Sequence, residues 1–381
     1  MAPNVAARRN MRVSSGISTG CDVRGEKLNV AVLMGGPSSE HEVSLATGDF
    51  VLKHLDPNRY EIKPIILAKE TSLQVQKSKV ESLLDLGLLD LRLLTESDVV
   101  FIAMHGEFGE DGRLQGLLEF LEIPYTGSGV LASSLAMNKI KSLELFRLHG
   151  LLVPPYTHFT RWEWAESSQL VLDFITQALE APWVVKPADR GSSVGVSIAH
   201  SEDALIFGIN QAFEHSDHAI VQRYIHGHEV TCAILHDDPR GEPQALPPTQ
   251  IVPKTKDFFD YFSKYTRGAT EEITPPHLPS QIISRIQATA LKAHNILGCY
   301  GMSRTDMIVK SETADSPIYV LETNTIPGMT QTSLYPQAAR AFGLEFSELL
   351  DRLIVAALRR HELRAVRPQR QKESRLLCSH P

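Results

Sequence analysis

Leu28-Asn29-Val30-Ala31-Val32-Leu33-Met34-Gly35-Gly36-Pro37-Ser38-Ser39-Glu40-His41-Glu42 opens the ordered part of the chain. The apolar run over residues 28–34 fits a strand buried on both faces, the usual strand of a parallel sheet. Gly35-Gly36 ends it. Ser38-Ser39 then open a helical stretch that carries Glu40 and Glu42 and runs to Leu55. A strand, a glycine turn and a helix opened by hydroxyls make the first unit of an α/β fold. A second strand falls at Tyr60–Leu67, and a third over 98–104 ends in His105-Gly106. Strands that alternate with helices form a parallel sheet, whose ligands collect at its carboxyl edge. Both glycine-marked strand ends lie on that edge.

Downstream, the pattern changes. Residues 124–129 (Pro-Tyr-Thr-Gly-Ser-Gly) read as a linker. A helix follows with Met137, Lys139 and Lys141 and runs to His149, with Pro154-Pro155 beyond it. Another helix is expected over 167–180. Then come a strand at Trp183–Pro187, a loop over 188–195, a strand over 196–199, a helix over 204–213 and a strand over 219–224. This block is a compact α+β unit. The rest carries strand-like pieces at 229–235, 250–252, 305–309 and 318–321, and helices at 281–297 and 346–359. The expected organisation is an N-terminal parallel-sheet domain over 28–128, a central domain over 129–224 and a C-terminal domain over 225–364. No internal repeat stands out.

Composition fits such an assembly. At 381 residues the chain exceeds one ordinary core. A net charge of −7 gives no reason to expect nucleic acid or an anionic membrane as partner. No apolar run reaches the roughly 18 residues of a membrane span. Cys21, Cys232, Cys299 and Cys378 lack the spacing of a zinc site or disulfide framework, which fits a reducing compartment. Residues 1–27 carry Arg8, Arg9, Arg12 and Arg24 without apolar periodicity. They read as a disordered extension in preference to an organelle transit peptide. Residues 365–381 read as a basic, solvated tail.

Four fragments could carry chemistry. In Leu321-Glu322-Thr323-Asn324-Thr325-Ile326-Pro327-Gly328-Met329-Thr330, Glu322 and Asn324 are two apart, so an extended backbone points both the same way. Two oxygen donors aimed together suit a hard cation such as Mg²⁺; the other reading is a polar strand end before a Pro-Gly turn. Arg304 and Asp306 likewise share a face, either as anion and metal ligands or as a structural ion pair. The loop Lys186-Pro187-Ala188-Asp189-Arg190-Gly191-Ser192-Ser193-Val194-Gly195 leaves backbone N–H groups uncovered beside two hydroxyls and a lysine. That is a phosphate cradle, or else a Gly-Ser hairpin turn. It joins strand to strand and lacks the P-loop spacing. The aromatic stretch 257–266, with Lys264 and Tyr265, reads as a closing loop or as an exposed loop packed on a neighbour. His105, at a carboxyl strand end before the glycine-rich run 106–112, is either a structural histidine or the edge of a site, and Lys139 on a helix is weak alone.

In series these pieces resemble the ATP-grasp enzymes, and within them the D-alanine–D-alanine ligase family. The matching segments are Gly35-Gly36-x-Ser38-x-Glu40-x-Glu42-Val43-Ser44, His105-Gly106-x-x-Gly109-Glu110-Asp111-Gly112, Tyr125-Thr126-Gly127-Ser128, Met137-Asn138-Lys139, Val185-Lys186-Pro187 with Gly191-Ser192-Ser193-Val194-Gly195, Lys264-Tyr265, Arg304-x-Asp306, and Glu322-x-Asn324-Thr325-x-Pro327-Gly328-Met329-Thr330.

The resemblance implies a three-domain ATP-grasp architecture that encloses ATP between its central and C-terminal domains. It implies ligation of two D-alanine molecules through an acyl phosphate, for peptidoglycan precursors. On this reading Lys139, Lys186 and Lys264 meet the phosphates, and Ser192 and Ser193 lie in the loop that covers them. Gln222, Tyr224 and Ile225 line the adenine site, and Glu229 holds the ribose. Asp306, Glu322 and Asn324 hold two Mg²⁺ ions, with Mn²⁺ as a substitute. Glu40 holds the ammonium group of the first D-alanine, and His105 lines its pocket. Glu40, Ser192 and Tyr265 form a hydrogen-bonded set that ties the closing loop. Arg304 and the Gly328 N–H stabilise the oxyanion. Ser333, with Lys264, takes the second substrate's carboxylate, and Leu334 packs on its methyl group. The resemblance also implies a cytoplasmic homodimer. The chain departs from the pattern at Gln222, where the family usually has a glutamate, and at Phe259 and Phe262, which replace more polar lid residues. A D-alanine–D-lactate or D-alanine–D-serine ligase, or another ATP-grasp amino-acid ligase, is the alternative.

Overall fold

The computed structural model describes residues 27–69, 91–192, 194–253 and 270–377. The N-terminal part holds β1 (Leu28–Gly35), α1 (His41–His54), β2 (Tyr60–Leu67), α2 (Leu91–Thr95), β3 (Val99–Ile102) and α3 (Arg113–Phe120). The three strands are parallel in the order β2-β1-β3, with Leu28 opposite Tyr60 and Val30 opposite Val99. Residues 30–34 of β1 are all buried, as the unbroken apolar run requires. Ser44, in the first turn of α1, accepts from the Gly35 N–H and donates to the Ala103 carbonyl, both at 2.8 Å. It pins the helix across two strand ends. Gly35 has a φ of +82°, and a Cβ there would stand 2.4 Å from the Leu67 carbonyl oxygen, so only glycine fits.

Within the expected linker over 124–129, residues 125–128 are held to their surroundings. Tyr125 bridges Val100, Thr126 Oγ1 accepts from Ile102 N at 3.0 Å, and Ser128 Oγ accepts from Tyr300 N at 3.1 Å. Polar residues in a turn are welded here by side-chain bonds to backbone. The single helix expected next is two, α4 (Val130–Met137) and α5 (Lys139–Leu148). Asn138 caps α5, accepting from Lys141 N at 3.0 Å.

β4 (Tyr156–Thr160), α6 (Arg161–Ala178), β5 (Trp183–Pro187), β6 (Ser197–Ala199), α7 (Glu202–Phe213) and β7 (His218–Arg223) build an antiparallel sheet in the order β4-β7-β5-β6. Helix α6 starts at Arg161, earlier than the expected 167. A capping box between Thr160 and Glu163 starts it, and Ser167 marks an internal kink. The remainder comprises β8 (His228–His236), β9 (Gln244–Ala245), β10 (Thr249–Pro253), β11 (Thr270–Ile273), α8 (Ser280–Leu297), β12 (Gly301–Val309), β13 (Ile318–Asn324), α9 (Leu334–Ala341) and α10 (Phe346–Leu377). Its sheet runs β11-β10-β8-β12-β13, with β9 on β8. Ile282, Ile286, Ala290, Ala293 and Leu297 give α8 one buried face at helical spacing.

Helix α10 runs on to Leu377, into the segment read as a tail; arginine, glutamine, lysine and glutamate are good helix formers. Its Leu349, Leu350, Leu353, Ile354, Ala357 and Leu358 share one core with β1 and β3. Asp351 accepts from Tyr60 Oη at 2.8 Å and pairs with Arg59. The C-terminal helix thus locks onto the N-terminal sheet. No described helix is long and apolar enough to cross a membrane.

Candidate active site

Two cavities meet at one acidic wall. The first, of about 370 Å³, lies between the β4-β7-β5-β6 sheet and the β8–β13 sheet. Lys139, Lys186, Gln222, Tyr224, Ile225 and Glu229 all line it. The second, of about 590 Å³, takes Glu40, His105, Ser192, Arg304, Asn324, Gly328, Ser333 and Leu334. Glu229, Ile251, Asp306 and Glu322 line both. Ser193, Lys264, Tyr265 and the aromatic stretch 257–266 lie outside the described residues.

Strand pairing sets the acidic wall. Asp306 stands opposite Glu322, and Arg304 opposite Asn324, across β12 and β13. Glu322 and Asn324 therefore lie inside a strand; the apolar signal stops at Leu321, but pairing with β12 carries the strand on. Asp306 accepts from Thr231 Oγ1 at 2.5 Å, and from Arg304 Nε at 3.0 Å and Nη2 at 2.9 Å. Asn324 Nδ2 reaches it at 3.4 Å. This fork geometry holds the Asp306 carboxylate rigidly at the cavity wall. Glu322 pairs with Lys139 Nζ at 3.0 Å.

Lys139 belongs to the first turn of α5, yet it is only 7% exposed. Its N–H bonds Ala188 O at 2.8 Å, and its Nζ donates to Arg190 O at 2.6 Å, so the helix start grips the loop after β5. Lys186, on β5, is as deeply buried. Gln222, on β7, is buried, and its Nε2 has no hydrogen-bond partner among the described residues.

The loop after β5 meets the N-terminal end of α1. Ser192 Oγ donates to Glu40 Oε1, and Arg190 pairs with Glu107. A Cβ on Gly191 would stand 2.7 Å from Glu40 Oε2. Ser192 itself has a φ of +49°, a left-handed conformation. Two separate units thus close over the second cavity through Glu40 and Ser192.

Glu110 is a residue the sequence reading quoted without a role. It is buried and accepts from Gly106 N at 2.8 Å and from Ile326 N at 3.0 Å. Burial, and then the Glu40 charge, push its carboxyl up to about 8. His105 is buried and contacts Ile326 O at 3.0 Å and Thr47 Oγ1 at 2.8 Å. Burial lowers its basicity despite the nearby Glu40. Thr47 and Thr231 were also missed; hydroxyls inside a helix and a strand give no sequence signal of what they face. Ser333 precedes α9, and its Oγ accepts from Thr330 N at 2.9 Å.

The family models described as "D-ala D-ala ligase N-terminus" and "D-ala D-ala ligase C-terminus" match residues 29–91 with 77–128, and 145–355, respectively. The D-alanine–D-alanine ligase of Syntrophobacter fumaroxidans is 44% identical over 335 residues, spanning 87% of this chain and 98% of that protein. The crystal structure of D-alanine–D-alanine ligase from Bacillus anthracis complexed with ATP superposes with a TM-score of 0.69 at 35% identity, covering 89% of this chain and 99% of that one. The VanG D-Ala:D-Ser ligase of Enterococcus faecalis superposes with a TM-score of 0.71 at 32% identity, covering 87% and 100%. With one acidic wall shared by two cavities and both halves of the chain matched, the chain belongs to the D-alanine–D-alanine ligase family.

Proposed function

We propose that this protein joins two D-alanine molecules at the expense of ATP. The observation that carries the reading is the meeting of the two cavities at Asp306 and Glu322. A lysine-lined cleft suits a triphosphate, and the cavity beside it, with Glu40 and Arg304 on its wall, suits a small zwitterion. Their shared wall is where a phosphoryl group would pass from one to the other. The carboxylate of the first D-alanine attacks the γ-phosphate, giving ADP and an acyl phosphate. The amine of the second D-alanine then attacks the acyl carbon, and phosphate leaves.

The residue roles follow from charge and position. Lys139 and Lys186 neutralise phosphate oxygens in the first cavity. Gln222, Tyr224 and Ile225 face the base, and Glu229 the ribose. A glutamine side chain still offers a carbonyl oxygen to an amino group. Glu40, within reach of Ser192, takes the ammonium group of the first substrate. Arg304 and the Gly328 N–H supply the charge and the donor that a tetrahedral oxyanion needs. Ser333 and Leu334 meet the second substrate's carboxylate and methyl group. Ser193, Lys264 and Tyr265 belong to the covering loops in this reading. Acyl phosphates hydrolyse, so the site must exclude water, and the Glu40–Ser192 contact closes one side.

The donor set at the shared wall fits a hard cation. Two carboxylates and one amide oxygen, few in number and beside a phosphate site, match the way Mg²⁺ is held. Asp306, Glu322 and Asn324 would hold two Mg²⁺ ions, or Mn²⁺ in their place. Such ions supply charge neutralisation for the triphosphate. A cytoplasmic homodimer belongs to the same reading, on the family resemblance. Incubation with ATP, D-alanine and D-lactate tests substrate choice. The expected product has the mass of D-alanyl-D-alanine, whereas a depsipeptide would identify a D-lactate ligase.

A further inference from the structure

Gly328 sits in a loop whose backbone is held from outside. The Ile326 N–H donates to Glu110 Oε1 at 3.0 Å, and the Ile326 carbonyl lies 3.0 Å from His105 Nδ1. A carbonyl can only accept, so Nδ1 carries the imidazole proton. Nε2 must then accept, and Thr47 Oγ1 donates to it at 2.8 Å. The same hydroxyl accepts from Met329 N at 3.4 Å. The bonds therefore run from Met329 through Thr47 and His105 back to Ile326, with Gly328 inside the span. Thr47, His105, Glu110, Ile326 and Met329 are all buried. Buried donors and acceptors left unmatched are costly, which makes this arrangement stiff.

The three side chains come from one unit and the loop from another. Thr47 lies in α1, while His105 and Glu110 follow β3; the loop follows β13, which belongs to the largest sheet. Glu110 also accepts from Gly106 N at 2.8 Å, so its two oxygens tie the segment after β3 to the loop after β13. Burial disfavours the charged imidazolium of His105, in the direction this ring of bonds requires.

We propose that Thr47, His105 and Glu110 are positioning residues that fix the 326–329 loop so that the Gly328 N–H points at the oxyanion of the second step. The proposal rests on the ligase reading above. It predicts an effect on dipeptide formation and little on phosphoryl transfer, because Gly328 acts only once the acyl phosphate is attacked. Loss of one oxyanion donor costs on the order of 100-fold in rate.

The test separates the two steps. Phosphoryl transfer is read from scrambling of an isotopic label between the β,γ-bridge and β-nonbridge positions of ATP in the presence of D-alanine. Dipeptide formation is read from product mass. Glu110→Gln keeps the shape but cannot accept at both oxygen positions. It is expected to leave scrambling and the KM for ATP within about 3-fold and to lower dipeptide formation by about 10- to 100-fold. His105→Asn, which can place an N–H near the Nδ1 position, is expected to keep at least about ten times more dipeptide activity than His105→Gln, which cannot. That pair carries the test should Glu110→Gln fail to fold. Equal losses in both steps, equal activity of the two His105 variants, or variants as active as the parent would overturn the clamp. Parent protein that neither scrambles the label with D-alanine nor forms dipeptide would overturn the ligase reading, and the clamp with it.

Discussion

Lys139 and Glu322, and Arg304 and Asp306, are pairs of opposite charge that share one small space. A triphosphate would compete for the two cations, and a divalent ion for the two carboxylates. Binding of nucleotide and metal would then exchange two internal pairs for new ones, so that neither ligand leaves a buried charge uncompensated. Glu322→Ala tests this. Turnover is expected to fall by about 100-fold or more, because several kcal/mol of charge stabilisation is lost, and raised Mg²⁺ is expected to recover little of it. Unchanged turnover would remove Glu322 from the proposed metal ligands. Glu322 with Asn324, and Arg304 with Asp306, stood out in the chain because groups at a spacing of two share one face of a strand; Lys139 carried no such signal. Nor did Glu110. An acid five residues past His105 reads as a solvated loop residue, and only packing against Ile326 buries it.

At the scale of elements, apolar runs marked most strands well, since a buried strand leaves few polar residues. Where pairing partners decide the boundary, the pattern falls short. β12 starts at Gly301, four residues before the apolar signal, because β8 pairs with it from His236 onward. The helix break at Asn138 is likewise set by a cap and not by periodicity. Helix α8 also carries a pH dependence. His294 contacts Ser303 Oγ at 2.7 Å and His236 Nδ1 at 3.3 Å. Burial, then the His236 charge, lower its pKa to about 3 from an ordinary 6.5. Between those values the unfolded chain takes up a proton that the folded chain refuses. Stability is therefore expected to fall as pH drops from about 6.5 toward 3, by up to about 1.4 kcal/mol per pH unit for this group. Urea unfolding of the parent and of His294→Gln across that range checks it. The variant should show the shallower slope, and equal slopes would exclude His294 as the source.

In the whole molecule, three sheets surround a cleft, and α10 fastens the last part of the chain to the first through Asp351, Tyr60 and Arg59. The α/β character and the order of the parts could be read from the chain, because each sheet has its own local pattern. The contacts between parts could not, since no local pattern reports which loop of one unit meets which strand of another. Arg190 with Glu107 and Glu110 with Ile326 are of that kind, whereas Glu40 with Ser192 was implied by the family resemblance and by no local pattern. Together these contacts join the units around the second cavity, on one side of a site whose reaction must avoid water. The most direct measurement is release of ADP from Mg²⁺-ATP by purified protein, with and without D-alanine. The account predicts release that depends on D-alanine and yields one dipeptide per ADP; release at the same rate with L-alanine, or without any amino acid, would contradict it.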